Sequence, residues 1–327
     1  MAAAGGAWQG ALVSFLSTAV QTVLEQGSFC AVATTGPAGP HCTPLVFAYS
    51  GGRLWFTTSR RSVKTRAWKA DASAAGLVRH GDLAVAFTGT AKLYDALDRN
   101  TWGDAVAGAT SIARATAAFS RKNARFFAGY AIDAKQVPFA WAPPGRVFVG
   151  IELARTALVD AEGVQEGKSR WAGTSTSHGT FRRSAKGDDP LAVLPREVRQ
   201  LLGADGEGAL SLTGDRGPVV VPARWRADEH ALYAALPAET LALAVAGPDA
   251  PAALTADEAS SWRARDMVGA MLQGTASIFL LDELGSGAKT ARELATEIDP
   301  DAGALVRLAP SRAVWWRGWS SGSADVE

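Results

Sequence analysis

"GALSLTGDRGPVVVPARWRADEHALYAAL", residues 208–236, lies without a gap over residues 30–58 of "GSFCAVATTGPAGPHCTPLVFAYSGGRLWFTT" (27–58). Gly217-Pro218 answers Gly39-Pro40, Pro222 answers Pro44, Trp225 answers Phe47, and Leu232-Tyr233 answers Leu54-Trp55. The coincidence falls on turn formers and on apolar positions alike, so the two stretches share a backbone plan. The match continues downstream. "LQGTASIFLLD" (272–282) answers "FTGTAKLYDAL" (87–97) at Gly-Thr-Ala after the spacing has grown by seven residues, and "VRLAPSRAVWWRG" (306–318) answers "VGIELARTALVD". An internal duplication of this length outweighs any single motif.

Each copy reads as short apolar strands separated by turn signals. In the first copy "FCAVATT" (29–35) and "TPLVFAYS" (43–50) flank a Gly/Pro turn, and "GRLWFTT" follows Gly51 and Gly52. "RSVKTRAWKAD" has the spacing of a short helix, and residues 74–95 hold two more strands around His80, Gly81 and Asp82. Six or so strands per copy, joined by turns and one helix, predict a small antiparallel barrel. Two barrels in tandem would cover each other's open edges, so one chain would act as a pseudo-dimer. The expected plan is an N-terminal helix (1–26), a first barrel (27–160) with a helical insertion (96–145), a linker and helix (161–204), and a second, degenerate barrel (205–320).

The bulk properties fit that plan. The chain has 327 residues, 47% hydrophobic and 20% charged, which suits one large or two ordinary globular domains. A formal net charge of +1 supplies no field for a polyanion, so nucleic acid is not an expected partner. Two cysteines, Cys30 and Cys42, are too few for a secreted disulfide framework and do not sit opposite each other across their turn. Near the N-terminus Leu12, Phe15, Leu16, Val20, Val23 and Leu24 recur at helical spacing, interrupted by Ser14, Gln21 and Glu25. No Lys or Arg precedes Arg53 and no apolar run reaches the length of a membrane span. The expectation is a cytoplasmic protein with no membrane partner.

The copies differ where charge is concentrated. Arg60, Arg61, Lys64, Arg66 and Lys69 fall within ten positions of the first copy, just after Thr57, Thr58 and Ser59. Hydroxyls and open amides at a helix start, with cations one turn in, are the ingredients of a phosphate site. The corresponding "YAALPAETLALAV" of the second copy carries no Lys or Arg. One anion site per chain is therefore expected. His41, His80, His178 and His230 occur singly, so neither a zinc site nor a catalytic cluster is expected. His41 stands out only by its position beside Cys42, Thr43 and Pro44.

"FCAVATTGPAGPHCTPLVFAY", "GRLWFTTSRRSVKTRAWKADASAAGLV" and "LAVAFTGTAKLY" together resemble the pyridoxamine 5'-phosphate oxidase-related, FMN-binding split-barrel superfamily. The second copy resembles the same barrel in weaker form. The resemblance implies a mainly β fold with peripheral helices, two tandem split barrels, and a flavin or the deazaflavin F420 held between them. It implies a flavin-dependent oxidoreductase moving hydride between FMN and a small-molecule substrate, with an F420-dependent enzyme or a non-enzymatic haem- or flavin-binding protein as alternatives. By the same resemblance Thr57, Thr58, Ser59, Arg60, Arg61 and Lys64 match the phosphate-binding strand end and helix. Cys42, Thr43 and Pro44 match the strand beneath the ring. Trp315, Trp316 and Arg317 of the second copy take the place of the partner subunit's contribution, and strand alternation would turn only one of the two tryptophans inward. The assembly is expected to be a monomeric pseudo-dimer or a dimer of such chains.

Overall fold

The computed structural model describes residues 16–133, 135, 145–171, 173–183, 188–258 and 263–326. Helix α1 (Thr18–Gln26) leads into the first barrel, capped by the Ser17 side chain, which accepts from the Val20 amide. Leu12 and Phe15 lie outside the described residues. The strands that follow are β1 (Phe29–Gly36), β2 (Gly39–Ser50), β3 (Arg53–Ser59), β4 (Ser73–His80), β5 (Leu83–Tyr94), β6 (Arg146–Val159) and the short β7 (Val164–Glu166). Helix α2 (Val63–Ala70) joins β3 to β4. They pair in the order β3-β2-β1-β4-β5-β6-β7, and β3 also pairs with β6, which closes six strands into a barrel.

The second barrel repeats this with β8 (Asp205–Gly214), β9 (Gly217–Ala227), β10 (Leu232–Leu236), β11 (Asp249–Glu258), β12 (Val268–Leu280), β13 (Ala304–Arg317) and β14 (Ser320–Asp325). The order is β10-β9-β8-β11-β12-β13-β14 with β10–β13 closure, position for position that of the first barrel. The duplicated hairpin is the same object twice. Gly36 faces Gly39 in one and Gly214 faces Gly217 in the other. Gly39 and Gly217 hold φ of 91° and 93°, a conformation that costs glycine little and L-residues much. Even the irregularity in the long β5–β6 pair recurs in β12–β13, between Thr88 and Gly89 and again between Gln273 and Gly274.

The strands of the first barrel are buried on both faces, and alternation sorts residues by size. Cys30 and Val32 of β1 and Val85 and Phe87 of β5 point into the barrel with Phe47, Leu54 and Phe56, where α1 adds Val20, Val23 and Leu24. The intervening Ala33, Ala84 and Ala86, with Ala75, Leu77 and Ala157, join the core of the second barrel. Small outward residues let the barrels approach closely and bury one continuous apolar interface. Polar bonds register the two halves: Gln273 Nε2 donates to Pro40 O at 2.8 Å and Thr255 Oγ1 to Cys42 O at 2.9 Å. Both cysteines are buried and unbridged.

Two segments were expected to be extra. Between β5 and β6 the chain forms α3 (Trp102–Ala107), α4 (Ala109–Lys122) and α5 (Ala124–Ile132), while residues 134 and 136–144 lie outside the described residues. Residues 161–204, expected as a linker and helix, contain β7 and a short α6 (Lys168–Trp171) before α7 (Arg196–Leu202). Residue 172 and residues 184–187 of this stretch are outside the description. The polar tract has structure because Ser175, Thr176 and His178 bond to the second barrel through Leu241 O, Ala246 O and Ile278 O.

Candidate functional site

A cavity of about 350 Å³ lies between the barrels, where the end of β3 and the start of α2 face the β13–β14 hairpin. Its wall from the first barrel includes His41, Thr43, Pro44, Thr58, Ser59, Ser62, Lys64 and Arg146. The second barrel supplies Met267, Trp315, Trp316, Trp319, Ser320 and Ser321.

The polar end of the cavity is built by a strand running into a helix. Ser62 caps α2 by accepting from the Thr65 amide at 3.1 Å, and Thr58 Oγ1 donates to Ser62 Oγ at 3.2 Å. The amides of Val63 and Lys64, in the first turn, have no intrahelical acceptor by the geometry of a helix start. Arg146 enters from β6, opposite Ser59 in the β3–β6 pair. Its guanidinium donates to Thr57 O at 2.7 Å and to Thr57 Oγ1 at 2.8 and 3.0 Å. Burial lowers the Arg146 pKa from its ordinary value. Among the described residues that border the cavity there are two cations, Lys64 and Arg146, and no carboxylate.

Lys64 is buried at 3% exposure, and desolvation lowers its pKa to about 8. Its ammonium donates to Val32 O at 2.6 Å and His41 O at 3.1 Å, and stands 3.3 Å from His41 Nδ1. Burial and the neighbouring ammonium together push the His41 pKa down to about 3.

The aromatic wall depends on glycine. A side chain at Gly269 of β12 would collide with the Trp316 indole, and one at Gly322 of β14 with that of Trp315. The two glycines flank β13 as direct cross-strand partners of the tryptophans. Each indole therefore lies across a neighbouring strand, and both border the cavity although alternation alone would turn only one inward.

Seven of the twelve residues singled out from sequence meet at this cavity: Thr43, Pro44, Thr58, Ser59, Lys64, Trp315 and Trp316. Five do not border it. Cys42 faces the inter-barrel core, where burial raises its thiol pKa to about 11. Thr57 accepts from Arg146. Arg60 is engaged by Asp95 through two bonds of 2.7 Å, and that contact holds the Asp95 carboxyl below its usual range. Arg61 is exposed, its amide donating to Ser59 Oγ at 3.3 Å. Arg317 pairs with Glu197. Arg60, Arg61 and Lys64 thus point three ways, because Arg60 and Arg61 precede the helix and only Lys64 lies within it.

Sequence reading passed over Arg146 and Trp319 and gave His41 only its position. Arg146 was visible as a charge at the head of a strand, but its neighbour Ser59 is 87 positions earlier and is brought close only by barrel closure. Among the described residues no group of three or more His, Cys, Asp or Glu is placed to hold a metal. No described helix is long and apolar enough to cross a membrane.

A second cavity of about 220 Å³ occupies the position related by the duplication. There Pro222, Leu236 and Pro237 replace Pro44, Thr58 and Ser59, and the border carries Asp82, Asp160, Glu207 and Asp299 beside Arg79 and Arg224. The hydroxyls are gone and the charge has reversed.

Residues 16–138 match the family model described as pyridoxamine 5'-phosphate oxidase. Among solved structures, an FMN-binding, pyridoxamine 5'-phosphate oxidase-related protein of Nostoc punctiforme is 17% identical, over 46% of this chain and 87% of that one, with a TM-score of 0.32. A protein described as an F420 reductase is 19% identical over 42% of this chain and 94% of its own, with a TM-score of 0.28. An FAD-binding protein of Mesorhizobium loti is 18% identical over 44% of this chain and 94% of its own, with a TM-score of 0.30. Curated proteins give no match. The family match falls on the first barrel, and the chain follows that barrel with a second of the same strand order.

Proposed function

We propose that the chain is a flavin-dependent oxidoreductase that binds one FMN in the cavity between its barrels and acts on a small molecule entering the same groove. The observation that carries this reading is the lining: two cations, three hydroxyl side chains at a strand end and helix start, and three indoles from the other barrel, with no carboxylate among the described residues. A phosphate suits the first group and a planar ring suits the indoles. At about 350 Å³ the cavity falls within the range of cofactor pockets.

Bound FMN would supply the hydride chemistry, and the residues here would supply position and field. Thr58, Ser59, Ser62 and Arg146 would hold the phosphate. Trp315, Trp316 and Trp319 would flank the ring and exclude water. The high thiol pKa of Cys42 argues against that thiol as a nucleophile.

F420 is the second reading, and the exposed Arg61 and Arg66 beside the start of α2 support it, since its longer tail is acidic. Titration of the purified protein with oxidised FMN, followed by flavin fluorescence and repeated with F420, tests both. The expected result is one FMN per chain at micromolar affinity or tighter. F420 binding alone would favour the second reading; two FMN per chain would revive the second cavity; a Soret band in the purified protein would point to haem.

A further inference from the structure

Lys64 has three protons to give and no lone pair to accept with. The structure presents three acceptors to it: Val32 O, His41 O and His41 Nδ1. No N–H of this buried ammonium is left to reach a ligand. Its charge still contributes to the field of the groove, but its hydrogen bonds are spent on β1 and β2.

The consequence falls on His41. A ring nitrogen that accepts from an ammonium carries no proton of its own, so in the neutral imidazole the proton sits on Nε2. Protonation of Nδ1 would set two cations against each other in a half-buried site. The remaining charged group acting on the ring is Arg312, which also disfavours imidazolium. The tautomer is thereby fixed by contact with Lys64 and by burial. Nε2 meets no partner among the described residues, and His41 borders the cavity two residues from Thr43.

We infer that His41 is a ligand-binding residue whose Nε2–H donates a hydrogen bond to an acceptor atom of the bound cofactor, and that Lys64 is the positioning residue that fixes its tautomer. The assignment rests on the flavin reading only for the identity of the ligand. It also separates flavin from haem: a neutral imidazole with its proton on Nε2 offers no lone pair to an iron in the groove.

The test uses the full chain in two arms. In the first, nitrogen-15 NMR of histidine-labelled protein without cofactor reads the tautomer, with the His41 signals identified by their loss in His41→Gln. The expected spectrum has the proton on Nε2, unchanged between pH 5 and 8, and Lys64→Met shifts it toward a mixture of tautomers. A proton on Nδ1, titration near the ordinary histidine value, or no change in Lys64→Met would overturn the assignment. In the second arm, FMN binding to His41→Phe weakens by about tenfold while His41→Gln, which keeps a side-chain N–H, stays within about threefold of wild type. Equal affinity in His41→Phe and wild type would overturn the donor role. If wild type binds no FMN, the flavin reading fails, and the first arm still decides whether Lys64 sets the tautomer.

Discussion

Tyr130 meets Trp319 edge-on, their ring centroids 4.9 Å apart and their planes at 83°. Tyr130 lies on α5, in the insertion of the first barrel, and Trp319 in the turn between β13 and β14 of the second. The contact carries the insertion across the inter-barrel groove to a residue of the cavity wall. Just beyond it, Asp133 Oδ1 accepts from Arg263 Nη2 at 2.9 Å and lies 3.6 Å from Arg265 Nη1. The aromatic pair and the ion pairs act as a clasp beside the site.

Asp133→Ala should loosen this clasp. The Asp133 side chain is 3% exposed and that of Arg263 22%, so removal leaves a partly buried guanidinium without its carboxylate. A fully buried pair broken in this way costs several kcal/mol, and the exposure of the two arginines reduces that to about 1–2 kcal/mol. The urea midpoint should fall, and limited proteolysis within residues 102–133 should accelerate. An unmoved midpoint would mean that the clasp does not stabilise the fold.

Gly269→Ala should displace Trp316. The added methyl would occupy the space of the indole, and the ring can leave only by turning off β12. Overpacking of this kind costs about 1–3 kcal/mol. Tryptophan emission should shift red as an indole gains water, and FMN affinity should fall with it. A variant with native emission and native affinity would show that the ring does not need that surface.

What could be read from sequence follows the range of the interactions. The duplicated hairpin was legible because Gly36, Gly39, Gly214 and Gly217 fix their turns locally and the strands alternate around them. The number of strands and their hairpins followed from the series of turns, whereas the β1–β4 and β3–β6 pairings join strands that no turn connects. The site was legible only where one segment builds it, as at Thr58 and Ser59. The Arg60–Asp95 pair could not be read, because Asp95 sits at the end of another strand, 35 residues on. Lys64 was legible as a residue of α2 but its contacts were not, since helical spacing says nothing of the carbonyls of β1 and β2 beneath it. Arg146 and Trp319 enter through barrel closure and barrel pairing, which no local pattern encodes.

Arg146→Gln should separate phosphate from ring. The side chain loses its charge but keeps an N–H able to reach Thr57, so the β3–β6 junction should survive. A charge-assisted contact to phosphate contributes about 1.5–3 kcal/mol, so FMN affinity should fall about tenfold or more. Riboflavin, which lacks the phosphate, should bind the variant as it binds wild type. Parallel losses for both ligands would place Arg146 against the ring or in the scaffold.

Lys64→Met should change how stability depends on pH. In the folded protein desolvation lowers the Lys64 pKa to about 8, against an ordinary value of 10.5. Between those values the unfolded chain binds more protons at this residue than the folded one, so stability rises with pH. Below about pH 8 the ammonium is charged in both states and its desolvation is a constant cost. Lys122, also lowered to about 8 by burial, adds a slope of the same sign, and the raised thiols of Cys30 and Cys42 add one of opposite sign above pH 9. The informative quantity is therefore the difference between wild type and Lys64→Met, in which those two contributions largely cancel. That difference should move in favour of wild type from pH 7 to 10.5, by at most roughly 3 kcal/mol. Urea unfolding of both proteins across that range measures it. A difference that stays flat would show that the ammonium keeps its water in the folded protein, and with it would go the reason for its three contacts to β1 and β2.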